Sequence, residues 1–330
     1  MKFTISAAEL NAKLAALAKV IGSKTAQSIY STFLLELKDG VLRITASDMD
    51  CSWCGTLPVM DMNGAERHNG SICVTASFLL DSLKNLGDQP VTFKVDEENL
   101  SVVICYNNGQ FNMVGFPAKD YVLPSVMKEY VQTTIEASVL NDCIAKSLYA
   151  VGGDDLRPAF GGIYFIRKGE KLQVFITDRE VAFQTETDYF RTRLIEGKYP
   201  NYNAVIPTNC DKIAILDKNE LLAAIRRVSV FADKARCGVT MNFSGLSLVL
   251  SGKDIDYSIH AEETVFCAYQ GDNLCIGFKA NFLKQTLENI TTKEVQFKLS
   301  TQERASVIIP VTDDDQMETV ALIMPILLSA

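Results

Sequence analysis

The sequence predicts an α+β protein built from repeats of a β-α-β-β-β unit, and three observations lead to this fold class. A short strand followed directly by a helix recurs along the chain. Each of these helices carries apolar residues at helical spacing, which predicts one buried side. Alternating apolar segments follow each helix, as in antiparallel sheets with one half-exposed face. We therefore expect the helices to be segregated on the other face of the sheets.

The strand–helix segment occurs five times. Each copy has a strand that ends in a small or polar residue and a helix that begins immediately afterwards. The copies are FTISAAELNAKLAAL from Phe3, ICVTASFLLDSLKNL from Ile72, TIEASVLNDCIAKSL from Thr134, AILDKNELLAAIRRV from Ala214 and CIGFKANFLKQTLENI from Cys275. Apolar stripes such as Leu10, Leu14 and Leu17, or Leu140, Ile144 and Leu148, mark the side of each helix that we expect to be buried.

The strands after each helix are indicated by hairpin signals. Asp39-Gly40 lies between two apolar runs, 33–37 and 41–46, and predicts a type I′ turn. A second alternating pattern surrounds Gly245, and a third follows Lys168-Gly169. Their apolar members are Val239, Met241, Phe243, Leu246, Leu248 and Leu250, and then Leu172, Val174 and Ile176.

The spacing of the repeats predicts three domains, with the middle one shortened. Equivalent leucines fall at positions 10, 79, 140, 221 and 283. If the repeats pair, the first domain spans 130 residues from Leu10 to Leu140, but only 81 separate Leu140 from Leu221. Five repeats are present where six would make three equal domains. We therefore predict domains at 1–126, 127–209 and 210–330, with the middle one lacking its second repeat.

Composition argues against a membrane span and against a surface coated in basic charge. The 330 residues include 32 Lys and Arg against 40 Asp and Glu, for a net charge of −8. A local basic patch is compatible with that balance. No apolar run approaches the roughly 18 residues of a membrane helix. The opening MKFTISAAEL does not resemble a secretory signal, so we expect a cytoplasmic protein.

The residues that usually carry catalysis are scarce. Two histidines, His68 and His260, are too few for a multi-histidine metal centre, and nucleotide-binding and hydrolase motifs are missing. Of nine cysteines, Cys51 and Cys54 form a lone CxxC in a strand-like stretch, which is a poor zinc site. The Asp-x-Asp pairs at 48/50 and 254/256 follow equivalent hairpins, which favours a role in turns over metal binding. We expect no catalytic residues, no metal and no cofactor.

Four segments, in order along the chain, resemble the bacterial DNA polymerase III β sliding clamps. They are MKFTI with LLELKDGVLRITASDMD, then DDLRPAFGGIYF at 154–165, RLIEGKYPNYNAVIP at 193–207 and ALIMPILL at 321–328. The short acidic and polar loops resemble a Bacteroidetes version. The resemblance implies a DNA-clamp fold. In this fold a head-to-tail homodimer closes into a ring, with helices lining the lumen and sheets outside.

The resemblance also implies function. The ring encircles double-stranded DNA without reading its sequence and tethers the replicative polymerase, the clamp loader and repair proteins. A weakly basic lumen suits sliding, because phosphate contacts position a protein on DNA without reading bases. The expected lumen residues lie on or beside the repeat helices: Lys13, Lys19, Lys24, Lys84, Lys146, Arg226, Arg227 and Lys284.

Two protein-binding surfaces follow from the same resemblance. A pocket for partner peptides is expected at Arg157, Phe160, Thr177, Pro200, Val205, Leu322, Ile323, Met324, Pro325 and Ile326. The dimer seam is expected to join Phe111 and Met113 on a first-domain edge strand to Val230 and Phe231 of the other chain. Core packing is the alternative interpretation of these apolar residues.

The chain departs from the family pattern in the middle domain and at its C-terminal end. After ITD (176–178), the family has a Gly-His-Arg-like turn on the pocket rim and a further helix, but here the chain passes directly to REVAFQTETDYF. Either this segment is deleted, or the sequence omits residues between Asp178 and Arg179. Ala204 stands where the family often has a basic residue, and Leu327-Leu328-Ser329-Ala330 replaces a final Arg-Leu.

Two alternatives to a processivity clamp remain at this point. A clamp-like interaction protein that no longer slides would retain the fold but behave as a monomer. An enzyme would use the Asp-x-Asp pairs with a metal, or Cys51 and Cys54 in redox chemistry.

Overall fold

The computed structural model forms two compact units. One contains residues Met1–Glu136 and Ile166–Glu196, and the other contains Ala137–Phe165 and Gly197–Ala330. The structure describes residues 1–22, 29–60, 68–123, 127, 130–132, 134–152, 161–165, 175–176, 179–234, 237–311 and 319–328. The predicted alternation at Leu172 and Val174 lies outside these residues, as do the side chain of Ile176 and the join between Asp178 and Arg179.

The first unit begins with two predicted repeats, both of which are confirmed. The first is β1 (Lys2–Ser6), α1 (Ala7–Leu17), β2 (Thr32–Lys38), β3 (Val41–Ser47) and β4 (Cys51–Pro58). The second is β5 (Gly70–Thr75), α2 (Ala76–Lys84), β6 (Pro90–Asp96), β7 (Ser101–Tyr106) and β8 (Gly109–Val114). The side chain of Ser6 accepts a hydrogen bond from the Glu9 backbone and caps α1, which explains why the helix begins directly after the strand.

The remaining elements follow the same order. The middle of the chain contributes α3 (Ala137–Leu148), β9 (Phe175–Ile176), β10 (Glu180–Gln184) and β11 (Asp188–Arg193). The fourth repeat is β12 (Lys212–Asp217), α4 (Lys218–Val228), β13 (Gly238–Ser244), β14 (Ser247–Asp254) and β15 (Ile259–Phe266), followed by β16 (Ala268–Gln270). The fifth is β17 (Leu274–Lys279), α5 (Ala280–Glu288), β18 (Glu294–Leu299), β19 (Ser306–Pro310) and β20 (Ala321–Ile323).

Repeats pair by exchanging their first strands. β1 joins the last three strands of the second repeat in the order β1-β6-β7-β8. β5 joins those of the first in a seven-stranded sheet of order β5-β2-β3-β4-β11-β10-β9. The second unit does the same with β12 and β17. A single repeat therefore cannot complete its own sheet. Helices α1 and α2 pack against each other in one unit, and α4 and α5 do so in the other.

The leucine stripes of these four helices fill the two hydrophobic cores. Leu10, Leu14 and Leu17 of α1 are buried with Leu79 and Leu83 of α2. Their counterparts in the second unit are Leu221, Ile225, Leu283 and Leu287. Burial of a side chain of this size stabilises the fold by about 1.5–3 kcal/mol.

Helix α3 differs from the other helices, and here the expectation of a buried stripe is wrong. None of its described side chains is fully buried, and Leu148 is 59% exposed. The two cores each form around a pair of packed helices, α1 with α2 and α4 with α5. Among the described residues, no second helix covers the apolar side of α3 in this way.

The predicted turns are confirmed with one correction. Asp39 and Gly40 both have positive φ, as a type I′ turn requires. Gly245 also has positive φ in the β13–β14 turn. Leu246 occupies that turn and is exposed, so the prediction that it continues the strand pattern is wrong. The strand pattern resumes at Leu248, which is buried.

Candidate functional site

Basic side chains are spread over the helices of both units. Lys84 ends α2 and is exposed, and Lys19 is exposed in the 3₁₀ turn after α1. Lys284 on α5 and Lys146 on α3 are half-buried. Lys24 lies outside the described residues. These positions accord with a weak phosphate-binding surface, and the assignment of the lumen residues stays a prediction.

Among the described residues, Lys13, Arg226 and Arg227 have acidic partners. Lys13 Nζ lies 2.8 Å from Asp188 Oδ2, and Arg226 Nη2 lies 2.8 Å from Glu288 Oε1. Arg227 binds both carboxylate oxygens of Glu263. Such pairing lowers the net positive charge that the helices present to a phosphate backbone. Lys84 and Lys19 are therefore the better candidates for DNA contact.

The C-terminal segment forms the described part of the predicted peptide pocket. β20 pairs with β19, which buries Ile323 and leaves Leu322 partly exposed. The chain then leaves the strand, so that Met324 is 61% exposed. The Ile326 backbone N–H donates to the Gly277 carbonyl oxygen at 2.8 Å, which fixes the segment beside β17. The core-strand alternative therefore applies to Ile323, while Met324 is available to a partner.

Two glycines seat this segment, and sequence reasoning did not single them out. A Cβ at Gly277 would lie 2.9 Å from Ile326 Cγ1 and 2.6 Å from Leu328 Cδ2. A Cβ at Gly238 would lie 2.4 Å from Ile326 Cδ1. A glycine inside a strand often marks a place where another segment of the chain approaches closely. The two glycines within apolar strand patterns were therefore the signal that the sequence offered for this contact.

The other predicted pocket residues are only partly described. Pro200 and Val205 flank the 3₁₀ turn Tyr202–Ala204 and are exposed. Tyr199 stacks on Tyr164 with ring centroids 4.7 Å apart, which connects two of the segments that carry the family resemblance. Arg157, Phe160 and Thr177 lie outside the described residues.

The residues predicted for the dimer seam lie on accessible elements. β8 is the edge strand of its sheet, and Phe111 and Met113 lie half-buried on the same side of it. The Phe111 ring contacts Tyr106 at 4.8 Å between centroids. In the 3₁₀ turn Ser229–Phe231, Val230 is 72% exposed and Phe231 is partly exposed. An unpaired strand edge beside apolar side chains is a ready surface for another chain.

The carboxylate and cysteine pairs show structural roles. Asp48 accepts hydrogen bonds from the backbones of Asp50 and Cys51, and Asp254 accepts one from Tyr257, so the predicted turn role is confirmed. Cys51 and Cys54 are three residues apart in β4 and therefore point to opposite faces. Among the described residues, no group of three His, Cys, Asp or Glu side chains is arranged to hold a metal. No helix in the described part of the chain is long and apolar enough to span a membrane.

Proteins with a curated description match nearly the whole length of this chain. A protein described as "Beta sliding clamp" from Pseudomonas aeruginosa is 24% identical over 364 aligned residues, covering 96% of this chain and 97% of that protein. One from Synechococcus elongatus is 22% identical and covers 99% of both chains.

Solved structures share the fold. The crystal structure of a Pseudomonas aeruginosa sliding clamp bound to griselimycin superposes with a TM-score of 0.90 at 21% identity, covering 99% of this chain and all of that chain. The DNA polymerase III β subunit of Thermotoga maritima gives a TM-score of 0.89 at 19% identity, with the same coverage.

Family models match both ends of the chain. The DNA polymerase III beta subunit N-terminal domain matches residues 1–125, and the C-terminal domain of the same subunit matches residues 203–326. Together they cover about three quarters of the 330 residues. The Bacteroidetes likeness stays a prediction. The chain belongs to the DNA polymerase III beta subunit family.

Proposed function

We propose that this protein is a replication processivity factor, a homodimeric sliding clamp that encircles duplex DNA and tethers DNA polymerase. The observation that carries this proposal is the match of both terminal domains of the family to the two ends of one chain, in the family's order. The protein is a non-catalytic subunit, and its contribution to synthesis is to hold the polymerase on the template. We place it in the bacterial cytoplasm and divide it into clamp domains at 1–126, 127–209 and 210–330.

Weak electrostatics support sliding rather than tight binding. The exposed Lys84 lies near the exposed Asp81 on α2, and the exposed carboxylates of Glu9 and Glu288 lie on α1 and α5. Many strong phosphate contacts would fix the protein in place, because affinity rises steeply with each contact. A mixed helix surface on a protein of net charge −8 instead favours retention by topology.

The partner pocket is proposed around Met324. The exposed methionine is followed by Pro325 and by the anchored Ile326, so an apolar, adaptable surface is presented at a fixed place in the second unit. Peptides from polymerases, the clamp loader and repair proteins are the proposed ligands. Removal of residues 324–330 is expected to abolish their binding and to leave the dimer intact.

A second candidate function is a clamp-like partner protein that no longer slides. The exposed apolar side of α3 favours it, because an incomplete middle domain could prevent ring closure. A monomer at micromolar concentration would support this alternative.

Retention on DNA separates the two functions. The protein is loaded onto a nicked circular duplex by a clamp loader and then followed by gel filtration before and after one restriction cut. A sliding clamp stays on the circle and leaves the linear form. Failure to load, or retention after the cut in moderate salt, would contradict the proposed function.

A further inference from the structure

A row of basic side chains crosses one face of the sheet β1-β6-β7-β8 in the first unit. On the other face, Phe3 and Phe93 lie opposite each other and stack in the core beneath the helices, with ring centroids 4.8 Å apart. Side chains alternate along a strand, so the next pair in register, Lys2 and Lys94, lies on the face away from that core. Lys94 is exposed and Lys2 is half-buried.

The two lysines face each other at close range. The Lys2 N–H donates to the His68 carbonyl oxygen at 3.1 Å, and the His68 N–H donates to the Lys2 carbonyl oxygen at 3.4 Å. Both backbone groups of Lys2 therefore point away from Lys94, which makes Lys2 and Lys94 a non-hydrogen-bonded pair. In such pairs the Cα atoms are about 4.5 Å apart and the side chains are closest. Like charges directly opposite each other destabilise the pairing of strands.

His68 extends the row on the other side of β1. It forms an antiparallel bridge with Lys2, and residues directly opposite each other share a face of the sheet. Neighbouring strands are about 4.8 Å apart, so His68, Lys2 and Lys94 follow one another over about 10 Å. An imidazole N–H donates hydrogen bonds to an anion, as the two ammonium groups do.

The carboxylates nearest to the row are held by other groups. Within the described part of the chain, neither Lys2 nor Lys94 has an ion pair or a side-chain hydrogen bond. Asp96, two residues after Lys94 on the same face, accepts three hydrogen bonds from the β6–β7 turn. Glu97 Oε1 lies 3.4 Å from the amino nitrogen of Met1. The row is therefore a local concentration of positive charge on a chain of net charge −8.

The length and charge of the row indicate the anion that fits it. A carboxylate brings a single charge for two ammonium groups, whereas a phosphoryl group carries close to two charges and three acceptor oxygens. Val103 and Asn112 continue the row across β7 and β8 and carry no charge. A nucleic-acid strand gains affinity from each further phosphate that it places on a cation, and among the described residues the row ends at His68 and Lys94. A short row therefore favours a short anion.

We propose that the row of His68, Lys2 and Lys94 binds a free oligophosphate, whose successive phosphoryl groups lie along it. One phosphoryl group bridges the two ammonium groups and removes their repulsion, and the next accepts a hydrogen bond from His68. Lysine is a common phosphate-binding side chain. The site is on the sheet face away from the helices, separate from Lys84 on α2, and it does not depend on the proposed function.

The test titrates the whole chain with sodium tripolyphosphate by calorimetry at constant ionic strength. We expect one binding event per chain, weakened about 10-fold in Lys94→Gln, because one charged hydrogen-bond donor is lost. Lys38→Gln is the matched control, since Lys38 is also an exposed strand lysine but lies opposite the apolar Val41. Its affinity for tripolyphosphate should be unchanged, as should that of Lys84→Gln.

Lys94→Glu separates loss of the site from loss of the fold. It places opposite charges across the two strands, so the thermal midpoint in low salt should not fall, while tripolyphosphate binding is lost. No binding to the unmodified protein would overturn the proposal, and so would an equal loss of affinity in Lys38→Gln or Lys84→Gln. A short oligothymidylate is titrated in parallel. If it binds more tightly than tripolyphosphate and loses affinity in Lys94→Gln, the site takes a nucleic-acid strand and the free oligophosphate is wrong.

Discussion

Lys13 on α1 and Asp188 at the start of β11 form an ion pair that joins a helix of the first repeat to a strand of the middle segment. The Nζ–Oδ2 distance is 2.8 Å, and the two side chains are only 17% and 21% exposed. The Asp188 carboxylate also accepts hydrogen bonds from Trp53 Nε1 and the Thr187 hydroxyl. Gly55 permits this arrangement, since a Cβ there would lie 2.9 Å from Lys13 Cδ. The positive charge of Lys13 is therefore paired with a carboxylate inside this unit.

Asp188→Asn is expected to destabilise the protein by about 1–3 kcal/mol at pH 7, because a partly buried ammonium loses its charged partner. Burial raises the pKa of Asp188, but hydrogen bonds from Lys13, Thr187 and Trp53 and the charge of Lys13 outweigh it, so this pKa lies below its ordinary value. A lowered folded-state pKa stabilises the fold above the unfolded value of about 3.9, and the contribution disappears as the pH falls through the folded value. Urea unfolding from pH 7 to pH 3 should show the difference between the proteins shrinking below about pH 4.

Asp50→Asn is the matched control for this prediction. Asp50 also pairs with a basic residue, Arg193, at 2.9 Å, but both side chains are mostly exposed. An exposed pair contributes little to stability, so no measurable change in the urea midpoint is expected. Equal midpoints for Asp188→Asn and the unmodified protein at pH 7 would show that the Lys13 pair does not stabilise the unit.

Much of the fold could be predicted from the sequence because the repeat is local. Helical spacing such as Leu10, Leu14 and Leu17 and the Asp39-Gly40 turn each depend on a few neighbouring residues. The exchange of β1 and β5 between sheets could not be predicted, since it depends on pairing between residues far apart in the chain. The exposed side of α3 was missed for the same reason, because a stripe of apolar residues does not show what covers it.

The candidate sites were predicted less completely than the fold. The resemblance located Met324 and Pro325, but the seating of Ile326 against Gly238 and Gly277 depends on distances between strands that no local pattern records. The pairing of Lys13 with Asp188 also joins distant parts of the sequence, so Lys13 looked equivalent to Lys84 when only helix position was considered.

The two exposed lysines, Lys19 and Lys84, are expected to contact phosphates more than Lys13 does. For each lysine that contacts a phosphate, replacement by Gln should reduce the slope of log K against log salt concentration by about 0.9. Lys13→Met should leave the slope unchanged, because its Nζ is held by Asp188. The measurement is fluorescence anisotropy with a short duplex at several salt concentrations. An equal loss of slope in Lys13→Met and Lys84→Gln would contradict this ranking.

Gly277→Ala is expected to weaken binding to partner peptides about 10-fold with little change in stability. The new Cβ would approach Ile326 and Leu328 and displace the segment that presents Met324. Peptide titration by calorimetry, with thermal unfolding alongside, measures both effects. Gly245→Ala provides the control, because its Cβ meets no atom within 4 Å while its φ of +56° disfavours alanine. That variant should lose about 1 kcal/mol of stability and retain peptide affinity. Unchanged peptide affinity in Gly277→Ala would show that the C-terminal segment is not part of the peptide pocket.

Phe111→Ala combined with Phe231→Ala is expected to convert the dimer to monomers at micromolar concentration. In the proposed head-to-tail dimer each chain contributes both side chains, so the double variant removes apolar contact from both seams of the ring at once. Sedimentation velocity across a dilution series measures the loss. Leu246→Ala is the control for the loss of an exposed apolar side chain outside the proposed seam, since Leu246 lies in the β13–β14 turn. Phe111 also packs partly against the first core, so thermal unfolding of the double variant is measured alongside. If the double variant remained dimeric at nanomolar concentration, the dimer seam would have to lie on other residues, and β8 would not be the strand that forms it.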